Sequence, residues 1–239
     1  MPSFHCRVVY LGEFDRSTIT DCSTTACMPN AIGIPVDAQI AHPRYVHHSQ
    51  NDIALFRLAT PVQYSGELMA SPARTSVPTG SPTAAYIKPI CLLTNYNPLA
   101  HIRLLTAIGW GTTEHGVPSN VLKTTTLTQV DRSHCSATYG SVVDMSHICA
   151  GDRTSHTCMG DSGGPIFATL PIGSTSRVVQ MGIVSYGDSE CRRWGVYTNV
   201  MHHMNWILQV VRQGGPQVPQ RPLPPQGSYY VYVPWYAVG

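Results

Sequence analysis

The chain has 239 residues, of which 43% are apolar, 8% aromatic and 12% charged, with 15 Lys and Arg against 13 Asp and Glu. It is long enough for one large or two small domains with a real core, and too apolar and weakly charged for disorder or a coiled coil. A formal net charge of +2 without a Lys/Arg cluster gives no electrostatic footing for nucleic acid, and no run approaches the roughly 18 apolar residues of a membrane-spanning helix.

Twenty Gly and 19 Pro punctuate the sequence, and between them strand-like runs recur at 7–11, 38–40, 53–58, 104–109, 124–130, 165–169, 178–185 and 195–200. This is the rhythm of an all-β barrel or sandwich. One helix closes the domain: from Val200 the apolar positions Met204, Ile207, Leu208 and Val211 form a single stripe. Thr198 or Asn199 caps its start, and Gly214-Gly215 ends it. Two stretches fall outside this pattern. Residues 66–85 hold three Pro among Ser, Thr and Ala without period, longer than loops in compact domains usually run. The tail 214–239 is rich in Pro and Tyr and reads as an extended or disordered appendage. The protein domain is therefore expected over 1–213. No internal repeat is visible.

Eight scattered Cys without a paired zinc spacing read as disulfides, which places the chain outside the cytosol. Residues 1–6 nevertheless carry no apolar run of the kind an export signal needs. The expectation that reconciles the two is a native N-terminus lying upstream of Met1.

The segment Cys158-Met159-Gly160-Asp161-Ser162-Gly163-Gly164-Pro165 carries the chemistry. A nucleophilic Ser needs an exposed hydroxyl on a tight turn, with backbone N–H groups aimed at the developing oxyanion. Glycines on both sides of Ser162 permit that backbone. This segment resembles the nucleophile loop of the chymotrypsin-like (trypsin-fold) serine proteases, and other motifs agree in order. Asn51-Asp52-Ile53-Ala54-Leu55 resembles the strand bearing the family's triad Asp, and Ile108-Gly109-Trp110-Gly111 its mid-domain Gly-Trp-Gly strand. Ile148-Cys149-Ala150-Gly151, Ser185-Tyr186-Gly187 and Gly195-Val196-Tyr197-Thr198 resemble the strands around the specificity pocket. Leu11-Gly12-Glu13-Phe14-Asp15, followed by Asp21-Cys22 and Cys27, is similar to the extra disulfide loop of the arthropod clip-domain members. The resemblance covers about residues 7–212. It implies two six-stranded antiparallel barrels, the first incomplete here, and a C-terminal helix.

By that resemblance Ser162 is the nucleophile, Asp52 orients the catalytic His, and the Gly160 and Ser162 amides form the oxyanion hole. Asp161 is the carboxylate that pairs with the new N-terminus after zymogen cleavage. The family's His-Cys context is matched only by His5-Cys6, preceded by Met-Pro-Ser-Phe instead of the usual small residues. His42, His47 and His48 read as exposed loop histidines. Where trypsin-like members carry a pocket-floor Asp, this chain has His156, which offers a substrate Arg or Lys no ion pair. Gly187 and Gly195 are expected to leave that pocket open. The implied disulfides are Cys22–Cys27, Cys135–Cys149 and Cys158–Cys191, with the partners of Cys6 and Cys91 lying upstream of Met1. Residues 66–85 then read as an unspliced in-frame intron between Ser65 and Tyr86. No cofactor or metal is implied beyond the calcium loop to which Glu13 and Asp15 could belong.

Two functions follow. One is a secreted serine endopeptidase of a proteolytic cascade, with protein substrates, other cascade components and serpin-type inhibitors as partners. The other is a non-catalytic protease homologue acting as a binding adaptor. Ser162 and Asp52 favour the first, His156 and the altered His context the second.

Overall fold

Alternation of inward and outward side chains builds the first sheet. In β1 (Val8–Leu11), Val9 and Leu11 are buried while Val8 and Tyr10 face solvent, the period-2 signature of a strand with one covered face. β1 pairs antiparallel with β2 (Ile32–Ala41), placing Val9 opposite Ile34. β2 pairs antiparallel with β3 (Ala54–Leu58). Val9, Leu11, Ile34 and Phe56 form this sheet's core. The structure, a computed structural model, describes residues 7–47, 49–62, 87–94, 98–152 and 154–214. Among these residues the sheet has three strands in the order β1-β2-β3 and does not close.

The second half closes. β4 (Leu104–Gly109), β5 (Lys123–Val130), β6 (His147–Ala150), β7 (Pro165–Ile172), β8 (Thr175–Tyr186) and β9 (Gly195–Asn199) form a barrel in the order β4-β5-β6-β9-β8-β7. All its pairings are antiparallel, and the closing one sets Ala107 opposite Ile166. Leu105, Leu127, Ile148, Ile166, Val179, Met181 and Tyr197 fill the interior. Each fully buried aliphatic side chain of this kind contributes roughly 2 kcal/mol by leaving water.

Two helices accompany the strands. α1 (Arg132–Tyr139) has Asp131 as N-cap, its carboxylate accepting from the Ser133 N–H at 2.9 Å, and left-handed Gly140 as C-cap. It buries only Cys135, so no apolar stripe announces it, and the expectation of a single helix is corrected here. α2 (Met204–Gly214) begins one turn later than the apolar stripe suggests. The Asn199 Oδ1 accepts from the N–H groups of Met201 and His202 at 3.1 and 3.3 Å, capping the turn that leads into it. Met204 and Ile207 pack with Ile53, Leu92, Ile183 and Val200 at the seam between sheet and barrel. Val211, expected in the stripe, is 38% exposed because the seam ends before the helix does. Gly214 is the last residue of α2. His5, Cys6, His48, residues 66–85 and 215–239 lie outside the described residues.

Candidate active site

The nucleophile loop is held by its backbone. Gly160 and Gly163 take φ of 94° and 77°, left-handed geometry that favours glycine. The Gly163 N–H donates to the Val184 carbonyl, and the Val184 N–H returns to the Gly164 carbonyl, both at 2.9 Å. Immediately before these anchors Ser162 stands exposed to solvent. Among the described residues the N–H groups of Gly160 and Ser162 meet no acceptor. The Cys158–Cys191 disulfide fixes the base of the loop. Asp161 turns inward instead, its carboxylate accepting from the Gly111 N–H at 2.8 Å and the Cys158 N–H at 3.0 Å. Gly109 and Gly111 make room for it: a Cβ on either would come within 2.0 or 2.5 Å of the Asp161 side chain.

Asp52 arrives from the open sheet. Asn51, immediately before it, adopts φ 55°, unusual for a residue with a Cβ. Its amide donates to the Arg44 carbonyl at 2.9 Å. The Asp52 Oδ2 accepts from the Ser185 hydroxyl at 2.6 Å, and its carbonyl accepts from the Thr198 hydroxyl at 2.7 Å. Adjacent residues of β8 therefore hold the two candidate groups: Val184 holds the Ser162 loop and Ser185 holds the Asp52 carboxylate. Burial, and then the Asp52 charge, push the Tyr45 phenol above its ordinary value.

Three histidines are buried at this seam, a feature that sequence reasoning missed. His42 is 6% exposed, not a solvent-facing loop residue. Its Nδ1 accepts from the Arg44 N–H at 3.2 Å, and its ring packs against Trp206 and His203 with centroids 4.9 and 5.6 Å away. Burial and then Arg44 lower its pKa. His203 lies with Nδ1 2.9 Å from the Asn199 carbonyl and Nε2 3.3 Å from the Asn51 Oδ1; burial takes its pKa down to about 4. His147 places Nε2 2.6 Å from the Ser49 carbonyl. His47 is exposed.

Of the pocket candidates, Gly187 and Gly195 approach each other. His156 is half-buried, and its Nδ1 is buried without a partner among the described residues. The Thr157 and Tyr197 hydroxyls meet at 3.0 Å, and burial raises the Tyr197 pKa. Gly187 is exposed, and a Cβ there would lie 3.6 Å from the Gly195 Cα. At Gly195 the space of a Cβ is filled by the Tyr197 hydroxyl, 2.8 Å away. Cys22–Cys27 and Cys135–Cys149 are also bonded, and Cys91 is a buried thiol whose pKa burial raises.

Glu13 and Asp15, the candidates for a calcium loop, make short-range hydrogen bonds. Glu13 accepts from the Phe14 N–H at 3.0 Å, and the Asp15 Oδ1 accepts from the N–H and hydroxyl of Ser17 at 2.9 and 2.5 Å. Among the described residues no three His, Cys, Asp or Glu side chains converge as a metal site would require.

The family model described as "Trypsin" matches residues 28–207. This chain belongs to the trypsin family. It is 34% identical over 222 residues to Melanization protease 1 of Drosophila melanogaster, covering 85% of this chain and 51% of that protein. It is also 34% identical over 225 residues to the CLIP domain-containing serine protease HP8 of Bombyx mori, covering 88% and 55%. Among solved structures, the Drosophila Grass clip serine protease of the Toll pathway superposes with a TM-score of 0.70 at 31% identity, covering 87% of this chain and 58% of that one. The chain spans about half the length of the relatives it matches.

Proposed function

We propose that this chain carries the catalytic domain of a secreted serine endopeptidase that works in a proteolytic cascade. The observation that carries the reading is the pairing on β8, where Val184 ties down the Ser162 loop while the neighbouring Ser185 holds the Asp52 carboxylate. That pairing ties the nucleophile loop and a carboxylate to adjacent residues of one strand, which supports a layout with a general base between them. The Ser162 Oγ attacks the scissile carbonyl and gives its proton to a histidine, for which the sequence offers His5. Asp52 orients that imidazole and stabilises its cation. The Gly160 and Ser162 amides receive the oxyanion, each such donor being worth about 3 kcal/mol of barrier. The imidazolium then protonates the leaving amine, and water releases the acyl group by the same steps in reverse. Asp161 holds the loop's shape through Gly111 and Cys158, ready for the ammonium of a cleaved zymogen. Three disulfides support an extracellular setting. Protein substrates, other cascade proteases and serpin-type inhibitors are the expected partners.

His156 sets the specificity. With no carboxylate at the pocket floor, cleavage after Arg or Lys is expected to be poor, and His156→Asp to raise it at least tenfold relative to a substrate with an apolar P1 residue. Ordinary tryptic efficiency in the unsubstituted protein would remove this assignment. The function itself is tested with a serine-directed phosphonate. Labelling at Ser162 that disappears in Ser162→Ala and in His5→Ala supports the endopeptidase with His5 as base. Absence of labelling in the activated full-length protein would favour the adaptor reading.

A further inference from the structure

We infer that Arg16 and Trp110 are positioning residues for the Ser162 loop, coupling it to the Cys22–Cys27 surface loop. The inference rests on the proposed role of Ser162. On one side of Trp110 the contacts form a latch. The Arg16 guanidinium lies 5.7 Å above the Trp110 ring, and its Nη2 donates to the Ser119 carbonyl at 2.7 Å. The Arg16 N–H donates to the Asn120 carbonyl at 3.0 Å. The Trp110 Nε1–H donates to the Phe14 carbonyl at 3.1 Å, and the Leu122 N–H reaches the same carbonyl at 2.8 Å. Residues 14–16 are thus stitched to both arms of the β4–β5 connection.

What holds residues 14–16 is the disulfide loop. The Asp21 carboxylate accepts from the Phe14 N–H, the Asp15 N–H and the Thr18 hydroxyl at 3.1, 3.2 and 2.8 Å. Asp21 directly precedes Cys22, and its carbonyl accepts from the Met28 N–H at 2.6 Å, just past Cys27. Both cysteines are solvent-exposed. An exposed, short crosslink therefore sets the placement of the Phe14 carbonyl.

On the other side, Trp110 sits between the two glycines against which Asp161 packs. The Gly111 N–H holds the Asp161 Oδ1 at 2.8 Å. The Thr112 N–H and hydroxyl hold the Met159 carbonyl at 2.8 and 3.1 Å, and a Cβ on Gly160 would lie 3.1 Å from the Gly111 Cα. A shift of Trp110 therefore moves both walls that hold the residues immediately before Ser162. The path runs through bonded contacts at every step, from the crosslink to Asp21, Phe14, Trp110, Gly111 and Asp161.

The test is hydrogen exchange by mass spectrometry on the full chain, with phosphonate labelling of Ser162 in parallel. Trp110→Phe keeps the ring and removes the donor; Arg16→Ala removes the cation. Both are expected to speed exchange at the Gly111 and Cys158 amides about fivefold, the scale of one modest hydrogen bond, while β7 and β8 keep their protection. Arg16→Lys is expected to restore most of it. Should Trp110→Phe loosen the barrel as a whole, Arg16→Ala and the double variant Cys22→Ser/Cys27→Ser decide, because both lie outside the barrel. Faster exchange confined to 14–28, with Gly111 and Cys158 unchanged, overturns the coupling. The exchange result does not depend on whether Ser162 reacts. Absent labelling therefore counts against the endopeptidase, whereas unchanged exchange counts against the latch.

Discussion

In the closed barrel β6 and β9 bury every residue, while in the open sheet β1 alternates between buried and solvent-facing positions and β2 mostly between half-buried and solvent-facing ones, with Ile34 alone buried. The barrel strands have neighbours on both sides and a filled interior, and β6 and β9, further covered on their outer faces, are buried throughout. The sheet's strands cover one small cluster, Val9, Leu11, Ile34 and Phe56, and β1 and β3 have an unpaired edge among the described residues. Closure concentrates stability in the half that carries Ser162, and Asp52 borrows rigidity from it through Ser185 and Thr198. The candidate site is thus a carboxylate from the weaker half seated on the stronger one.

The sharpest test of this contrast is paired core truncation. Leu127→Ala, at a fully buried barrel position, is expected to cost about 4 kcal/mol in denaturant unfolding, and Ile34→Ala in the sheet about 2 kcal/mol, because a cavity under an open sheet collapses more easily. Equal losses would mean that the two halves unfold as equals.

Acid probes the seam between them. His203 is neutral when folded, with its pKa lowered from the ordinary 6.5 to about 4. Between those pH values the unfolded chain binds a proton that the folded chain does not. Stability is therefore fully present above pH 6.5 and falls as the pH drops towards 4, by up to about 3 kcal/mol. His42, lowered by burial as well, adds in the same direction. Asp131, Asp144 and Asp152, held below the ordinary 3.8 by Ser and Thr hydrogen bonds that outweigh burial, lose their contribution only at lower pH. Thermal melts from pH 7 to 4 check this, and His203→Gln is expected to flatten the slope. An unchanged slope would take the seam out of the acid response.

The smallest contrast lies in the crosslinks. Removing Cys135–Cys149, with a sequence separation of 14, is expected to cost about 3 kcal/mol, and removing Cys22–Cys27, with a separation of 5, about 2 kcal/mol. Urea midpoints of the two double-Ser variants measure the difference.

How legible each part is in the sequence follows the same divide. β4 is read residue for residue and β9 to within one, because Leu104–Gly109 and Gly195–Asn199 are apolar runs bounded by glycine or polar turns. β2 runs ten residues where three are expected, since Gly33 and Pro35 look like turn residues although both sit in a paired strand. α1 hides because its signal lies in the Asp131 and Gly140 caps and not in an apolar stripe. Ser162 and Asp52 stand out in their motifs, but the Ser185 bond that relates them joins residues 133 apart in sequence. No local pattern encodes such a contact. His42 is misread for the same reason: Trp206 and His203, which bury it, come from the far end of the chain.

The strand order of the barrel also dictates a timetable for synthesis. β9 lies between β6 and β8, and β4 is sealed by β7, so no smaller ring can form from the earlier strands. While the ribosome adds roughly 5–20 residues per second, β1 to β3 can pair as soon as they emerge, but β4 keeps an open edge until β7 is out at Ile172, and β6 until β9 is out at Asn199. That interval is when the nascent chain is most exposed to edge-to-edge association. Pairings over such long separations also place the domain among slow folders. Shielding the β6 edge until β9 arrives is therefore expected to raise the yield of folded protein.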